Sequence, residues 1–424
     1  MKRDVDLLIL GAGPAGMAAA VAASASGQRI ALVDDNPATG GQIWRTGVNA
    51  PNYPAAEKLR AALAAEKNIE LFTATRVIAH TGAHELLLEN PLHSWRIGYG
   101  QLILCSGARE VLLPFPGWTL PGVTGAGGLQ ALIKGGMPVH GERLVLAGSG
   151  PLLLASAASA KAAGAQIAYI AEQATATDLA AFAMQLPRWP SKLHQAVQLF
   201  DRHYRSNSHV VEALGNGRLE AVRIRHGDTL IEVPCERLAC GFGLRANTEL
   251  AQTLGCSVAD QAITVDNLQR TTLASHFAAG ECTGIGGNEL AQVEGAIAGF
   301  AAVGRLPQAQ ALFAQRQHWQ RFADLLKRHF ALKPELKNLP SADTLLCRCE
   351  DVPYGVVAGH ADWHQAKLHS RCGMGACQGR VCGTAAEFLL GWPTPSLRAP
   401  FVPARVASLL PAAALPSAVQ PVVE

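Results

Sequence analysis

The stretch Val5-Asp6-Leu7-Leu8-Ile9-Leu10-Gly11-Ala12-Gly13-Pro14-Ala15-Gly16 runs from a short apolar segment with strand character straight into a glycine turn, and an alanine-rich stretch with helical preference follows. This is the GxGxxG pattern in the setting that gives it meaning. Gly11 permits the tight turn, Gly13 lets the backbone approach a pyrophosphate, and Gly16 lets helix and strand pack closely, so that phosphates sit at a helix N-terminus. A second strand, Ile30 to Val33, ends at Asp34, 23 positions after Gly11, where an acid can accept hydrogen bonds from a ribose. A glycine-rich turn in an ordinary parallel sheet is the bland alternative. Strand, triplet, helix, strand and acid in that order argue against it, and the chain is read as α/β and dinucleotide-binding.

The bulk composition is consistent with this. A chain of 424 residues, 49% hydrophobic and 16% charged, is long enough for two or three packed domains. The net charge of +3 is spread along the length with no basic block, which makes nucleic acid an unexpected partner. Leu7 to Gln28 carries no charge and follows Lys2 and Arg3, as a signal peptide would. Asp4 and Asp6 interrupt the basic start, however, and Gly11 to Pro14 breaks the apolar run. The segment is read as strand, turn and helix, and the chain as cytoplasmic with no transmembrane segment. Five of the ten cysteines fall between Cys347 and Cys382, a clustering that points to metal or redox chemistry and not to a disulfide framework.

A second nucleotide-like unit begins at Arg143 to Ala147, with Gly148-Ser149-Gly150-Pro151 and a helical composition from Leu152 to Ala163. Here Leu153 stands where the third glycine belongs, although Glu172 follows the next strand at a suitable interval. NAD(P) or another nucleotide at this unit is left open, because a duplicated fold can persist without its ligand. Thiol-disulfide exchange has no paired CxxC to work with. Cys105, Cys235, Cys240, Cys256 and Cys282 read as buried structural thiols.

The densest local signal is Cys347-Arg348-Cys349-Glu350-Asp351 followed by Arg371-Cys372-Gly373-Met374-Gly375-Ala376-Cys377-Gln378-Gly379-Arg380-Val381-Cys382. Closely spaced thiolates hold iron-sulfur clusters, and glycines leave backbone N–H groups free to hydrogen-bond the sulfurs. A structural zinc also accepts four cysteines, but its usual spacing is CxxC and not CxC with CxxxxC. Spacing favours iron-sulfur and leaves zinc open.

Several of these residues carry resemblances. Gly40-Gly41-Gln42-Ile43, Leu102 to Gly107 with Ala108-Arg109, and Ala278-Ala279-Gly280-Glu281 resemble the flavin-contacting segments of two-dinucleotide-binding-domain flavoproteins. That resemblance implies a Rossmann-like FAD domain with an inserted NAD-type domain. FAD would be held by Gly11, Gly13, Pro14, Ala15, Gly16, Asp34, Gly41, Gln42, Gly280 and Glu281. The cysteine passage resembles the small bacterioferritin-associated-ferredoxin type of 2Fe-2S domain, which implies Cys347, Cys349, Cys377 and Cys382 as ligands and Cys372 as a fifth, nonligating thiol. The interval from Cys349 to Cys377 is a few residues shorter than in that family, so a truncated intervening helix is expected.

From end to end, including Pro116-Gly117-Trp118-Thr119-Leu120-Pro121-Gly122-Val123, the chain is similar to the flavin and iron-sulfur alpha subunits of heteromeric amino- and imino-acid dehydrogenases, a family that includes opine oxidases, D-hydroxyproline dehydrogenase and hydrogen cyanide synthase. The resemblance implies a separate FAD-containing beta subunit with the substrate site, a small ferredoxin-like gamma subunit, and in some members FMN at a subunit interface. It implies an oxidoreductase acting on CH–NH or CH–NH2 donors, with D-hydroxyproline or a similar imino acid as first choice of substrate and opines next. Independently of it, no Ser-His-acid, Cys-His or paired-carboxylate arrangement marks a catalytic residue in this sequence.

The expected organisation is a discontinuous FAD domain over 1–109 and 241–304, a second nucleotide-binding-like domain over 110–240, a helical connector over 305–342, the 2Fe-2S domain over 343–392 and a proline-rich tail over 393–424. In the connector Phe313, Trp319, Phe322, Leu326 and Phe330 lie close to helical spacing and read as a helix packed on its own domain. The seven prolines after Trp392 suggest an extended tail wrapped over a neighbour or over the chain's own surface. Two competing functions remain. A stand-alone NAD(P)H-dependent flavin and iron-sulfur reductase predicts rapid reduction by a pyridine nucleotide. A nonenzymatic metal-binding docking module predicts that Cys377→Ser leaves turnover of the whole assembly intact.

Overall fold

The computed structural model describes residues 2–393 and 398–410. Strand β1 (Lys2–Leu10) leads through Gly11–Gly13 into helix α1 (Pro14–Ser24) and on to β2 (Ile30–Val33), β3 (Ile69–Phe72), β4 (Arg76–Gly82), β5 (Glu85–Glu89) and β6 (Ser94–Leu104). They form one sheet in the order β3-β2-β1-β6-β5-β4. The first half of β6 pairs antiparallel with β5, and its second half pairs parallel with the distant strand His276–Ala278, so the chain returns to complete this sheet after a long excursion. Leu7–Leu10 and Ile30–Val33 are apolar at every position because both sheet faces are covered. Leu7 and Ile9 pack against α1 and the helix α2 (Gly287–Ala302), while Leu8 and Leu10 face Trp95, Ile97 and the antiparallel strands. Gly295 and Gly299 of α2 lie directly on the Ala15 and Ala19 carbonyls, where any side chain would overlap the α1 backbone.

The excursion leaves and re-enters through a two-stranded antiparallel strap, Ala108–Glu110 against Leu244–Ala246. Between them, a parallel sheet runs in the order Tyr204–Arg205, Gln166–Glu172, Arg143–Gly148, Arg237–Gly241, Val123–Gly125, and a three-stranded antiparallel sheet covers Ser208–Leu214, Ala221–His226 and Thr229–Pro234. Leu153, which replaces the third glycine of this unit, is fully buried and close to Gly241. A methyl group at position 241 would lie 3.1 Å from a Leu153 methyl, so the glycine displaced from the helix is compensated by one on the facing strand.

Helix Phe313–His329 packs Phe322 and Leu325 against Phe182, Leu186 and Trp189 of the second unit. The C-terminal subdomain has a small hairpin, Leu345–Cys347 with Val352–Pro353, and helices Tyr354–Ala358, Trp363–Ser370 and Cys382–Leu390 around its own core. The interval between Cys349 and Cys377 therefore holds two short helices of 5 and 8 residues. Of the tail, residues 398–410 lie on the chain's own first domain. Phe401 is buried and donates its N–H to Ile78, and Arg405 donates to the Glu89 carboxylate and to the Asn90 and Pro91 carbonyls. The expectation for 394–397 and 411–424 lies outside the described residues. Among the described residues no helix is long and apolar enough to cross a membrane.

Candidate cofactor sites

Around the first glycine turn the structure gathers residues from four separate stretches. Gly11 adopts φ +102°, and a side chain there would overlap the Cys105 carbonyl. Gly13 precedes Pro14, the first residue of α1, and a methyl group on Gly13 would meet only Gly41 Cα, at 3.9 Å. The Asp34 carboxylate accepts the Ala12 N–H at 2.5 Å and the Asn36 N–H at 2.8 Å, which holds the end of β2 against the turn. Gly40 donates its N–H to the Ala12 carbonyl at 2.7 Å and so brings Gly41 beside Gly13. Gln42 reaches the other way, donating from Nε2 to the Gly127 carbonyl at 2.9 Å, and so ties this turn to the second unit. Gly280 lies over Ala15 at the start of α1, and the half-buried Glu281 follows it, its carboxyl pushed up by burial.

This cradle fits a dinucleotide. The helix N-terminus is open on the Gly13 side, and the Asp34 carboxylate lies beside the turn, as the fingerprint requires.

Three further residues outside the glycine fingerprints shape this site. Glu294 is a buried acid on α2 that accepts the Gly280 N–H at 3.0 Å and the Thr283 hydroxyl at 3.1 Å. Burial outweighs these bonds and raises its carboxyl to about 7. Glu110 accepts the Gly127 and Gly128 N–H groups at 2.6 and 2.9 Å at the start of helix Ala126–Lys134. Lys134 is buried and donates to the Ile43 carbonyl at 3.1 Å.

The raised Glu294 carboxyl has a thermodynamic consequence. Its proton is held more tightly in the folded chain than in the unfolded one, where an ordinary carboxyl releases it near 4.5. Stability from this group is intact below the unfolded value and falls as pH rises through the window from 4.5 to about 7. For the flavin-free chain, Glu294→Gln is expected to remove roughly 3 kcal/mol of that decline, measured by denaturant titrations at pH 4.5 and pH 7.5. An unchanged difference between the two pH values would show that folding does not raise the Glu294 carboxyl.

At the second glycine turn the space is taken. The Gly150 N–H, which would face a pyrophosphate, donates to Glu172 at 2.7 Å, and Glu172 also accepts from the Ala174 N–H and the Tyr204 hydroxyl. Phe330 lies over Gly150, with ring and Cβ carbons 3.7–3.9 Å from where a methyl group would sit. The Ser149 hydroxyl donates to the Phe330 carbonyl at 2.8 Å, and the Gln173 amide holds the Ala331 carbonyl and the Lys333 N–H at 2.7 and 2.9 Å. Phe330–Lys333 therefore closes over the surface that a second dinucleotide would need.

The five clustered cysteines come together in the C-terminal subdomain. Cys347, Cys372 and Cys382 are buried, with sulfurs all within 4.8 Å of one another. Cys349, which is exposed, and the half-buried Cys377 are neighbours, and Cys377 also lies near Cys382. Backbone N–H groups point at these sulfurs: Gly373 and Glu350 at Cys347, and Val381 and Gly379 at Cys377. The neighbouring Cys372 and Cys382 thiols hold Cys347 well below the usual thiol range. By contrast Cys105, Cys235, Cys240, Cys256 and Cys282 are all buried, and burial pushes their thiols up. Two sulfurs on one tetrahedral metal lie roughly 3.8 Å apart for bonds of about 2.3 Å. The three buried sulfurs, within 4.8 Å of one another, are near that spacing, and the donor set is compatible with an iron-sulfur cluster.

The two centres are fastened together. Arg109 of the strap donates Nε to the Arg380 carbonyl at 3.4 Å and Nη1 to Asn247 Oδ1 at 2.7 Å, and it pairs with Glu249 at 2.6 Å. Asn247 in turn donates to the Ser106 carbonyl at 2.8 Å, next to the Cys105 that backs the first glycine turn. Arg245 pairs with Glu387 at 2.9 Å, and the Trp118 indole donates to the Leu345 carbonyl at 2.6 Å.

Residues 5–299 match the family model for pyridine nucleotide-disulphide oxidoreductases. The chain belongs to that family. Within it, the chain is 32% identical to a subunit of the opine oxidase of Agrobacterium tumefaciens over 95% of its own length and 91% of the relative's. It is 30% identical to the HcnB subunit of the hydrogen cyanide synthase of Pseudomonas protegens over 88% of its length and 89% of that protein's. Among solved structures it superimposes on L-proline dehydrogenase from P. horikoshii with a TM-score of 0.68 and 17% identity, over 97% of this chain and 80% of that one. Thioredoxin reductase of T. acidophilum gives a TM-score of 0.52 and 20% identity over 74% and 99%. This pyridine nucleotide-disulphide oxidoreductase homologue is thus a flavoprotein oxidoreductase with an FAD-binding domain, similar to proteins named as subunits of larger enzymes.

Proposed function

We propose that the chain is the electron-transfer alpha subunit of a heteromeric flavin-dependent dehydrogenase that oxidises the C–N bond of an amino or imino acid, D-hydroxyproline-like or an opine, with FAD and a 2Fe-2S cluster as its carriers. One observation carries the reading. The glycine turn of the FAD domain and the five-thiol loop are fastened to each other through Arg109, whereas the second glycine turn is covered by Phe330–Lys333. A bound flavin accepts electrons in pairs and an iron-sulfur cluster takes them singly, so the two together suit onward transfer.

The chain's own residues supply the holding. Gly11, Gly13, Pro14, Ala15 and Gly16 would hold the phosphates, Asp34 the ribose, and Gly41, Gln42, Gly280 and Glu281 the flavin side. Cys347, Cys349, Cys377 and Cys382 are the ligand set proposed for the cluster. The substrate site belongs to a partner beta subunit with its own FAD. An interfacial FMN and a small ferredoxin-like gamma subunit are further components, all in the cytoplasm. The similarity to the opine oxidase and hydrogen cyanide synthase subunits over most of the length supports this assignment.

The test is an anaerobic visible spectrum of the purified chain before and after NADH or NADPH is added. Flavin and iron-sulfur bands that stay oxidised for many minutes are the expected result, since Phe330 covers the turn a nicotinamide dinucleotide would use. Bleaching within seconds would make the chain a stand-alone reductase and remove the amine assignment.

A further inference from the structure

The 2Fe-2S reading needs four thiolates, and the site holds five. Their arrangement is uneven. Cys349 and Cys377 are neighbours nearer the surface, while Cys347, Cys372 and Cys382 form a mutual triangle at the buried end with sulfurs within 4.8 Å. With a 2Fe-2S cluster bound, the outer pair would serve one iron, and the other would have three candidates for two positions.

Cys372 is fixed at this triangle by its backbone. It lies between Arg371, at φ +64°, and Gly373, at φ +80°, and its N–H donates to the Ser370 hydroxyl at 3.3 Å. A methyl group on Gly373 would meet the Trp363 ring at 2.7 Å, so the kink is held against the subdomain core. The Cys372 side chain is fully buried, with its sulfur within 4.8 Å of those of Cys347 and Cys382.

We propose that Cys372 is an interchangeable ligand at the buried iron, able to take the position of Cys347 or of Cys382. In that exchange the Cys372 thiol gives its proton to solvent and forms the iron–sulfur bond left open by the missing thiolate. The oxidation state of the cluster does not change. The inference rests on the iron-sulfur reading above and refines the ligand set within it.

The test uses the full chain, reconstituted anaerobically with iron and sulfide. Iron and labile sulfide are measured per bound flavin, and the EPR spectrum is recorded after dithionite reduction. Cys347→Ala, Cys382→Ala and Cys372→Ala are each expected to keep at least about half of the parent's iron, with g-values that differ among the variants because the ligand set differs. Adding Cys372→Ala to either of the first two is expected to lower the iron about tenfold or more, because only three thiolates remain. Cys377→Ala, in the outer pair, is expected to lose the cluster with Cys372 present.

The flavin content reports whether each variant is folded in its first domain. If Cys347→Ala distorts the hairpin that carries it, Cys382→Ala provides the same test from a different element. The proposal is overturned if both single variants lose iron as fully as their doubles, or if Cys372→Ala alone empties the site. An unmodified chain that takes up zinc but forms no iron-sulfur chromophore would overturn the cluster reading together with this one, a result distinguishable from failure of the exchange alone.

Discussion

Gly16→Ala is expected to yield a chain that purifies without its flavin. Gly16 lies in the first turn of α1, and its Cα faces the Gly11 carbonyl so closely that an added methyl group would overlap the oxygen, with Cys105 Cβ a further 3.5 Å neighbour. Backbone surrounds the site and cannot yield as a flexible side chain would, so the turn itself must move. Overpacking of this kind costs about 1–3 kcal/mol. The displaced turn also loses the charge-assisted contacts between its N–H groups and a pyrophosphate, worth roughly 1.5–3 kcal/mol each. Together these predict FAD binding weakened by at least about a hundredfold, since 1.4 kcal/mol is about a factor of ten. Titration of the apo chain with FAD, followed by calorimetry, measures it.

Gly13→Ala separates the two costs. Its φ of −76° suits any residue, and the added methyl group would touch only Gly41 Cα at 3.9 Å. The apo chain should keep the parent's unfolding midpoint and still bind FAD weakly, because the methyl group stands where the ligand approaches. Equal loss of stability in both variants would show that the open side of the turn is not the ligand's side.

The first turn was legible because every element of the argument is local: a buried strand, three glycines, a helix and an acid follow one another within a few dozen residues. The second turn shows where such reading stops. Leu153 in place of glycine signals a wider helix–strand separation, but its compensation by Gly241 lies on another strand and has no mark in the sequence. Likewise the aromatic spacing of the connector indicates a helix packed on its own domain, whereas Phe322 and Leu325 pack on the second unit, because hydrophobic periodicity identifies a face without naming what it covers. That Phe330 ends over Gly150 depends on the whole excursion of the chain.

Glu294 had a findable signal, an acid set among the buried Leu290, Ala291, Val293 and Ile297 of its helix. Buried acids in such settings are held by specific donors. At the cysteine loop the sequence supplies the count of thiols, and chain direction decides their grouping. Positive φ at Arg371 and Gly373 turns Cys372 toward Cys347 and Cys382, which spacing alone does not reveal.

Arg109→Leu is expected to loosen the C-terminal subdomain from the strap. The side chain of Arg109 is 19% exposed, and its partner Glu249 is 15% exposed. Burial lowers the guanidinium's pKa, yet an arginine stays charged in a protein. Removing it leaves Glu249 without this partner and the Arg380 carbonyl without this donor. Breaking a buried pair from one side costs about 3–5 kcal/mol, and partial exposure here reduces that to roughly 2–3 kcal/mol.

The strap strands still pair, and Arg245 with Glu387 and Trp118 with Leu345 still bridge to the subdomain, so the loss should appear as local opening and not as global unfolding. Native-state proteolysis within the tether 332–344 should then accelerate by about 30-fold, the factor that 2 kcal/mol implies when opening is fast. Arg109→Lys restores the charge opposite Glu249 but cannot also serve Asn247 and the Arg380 carbonyl with a planar fork, so an intermediate rate is expected. A double-mutant cycle with Glu249→Gln assigns the remainder. If Arg109→Leu is cleaved no faster than the parent, the Arg380 carbonyl contact does not hold the thiol loop against the FAD domain, and the observation on which the electron-transfer reading rests is lost.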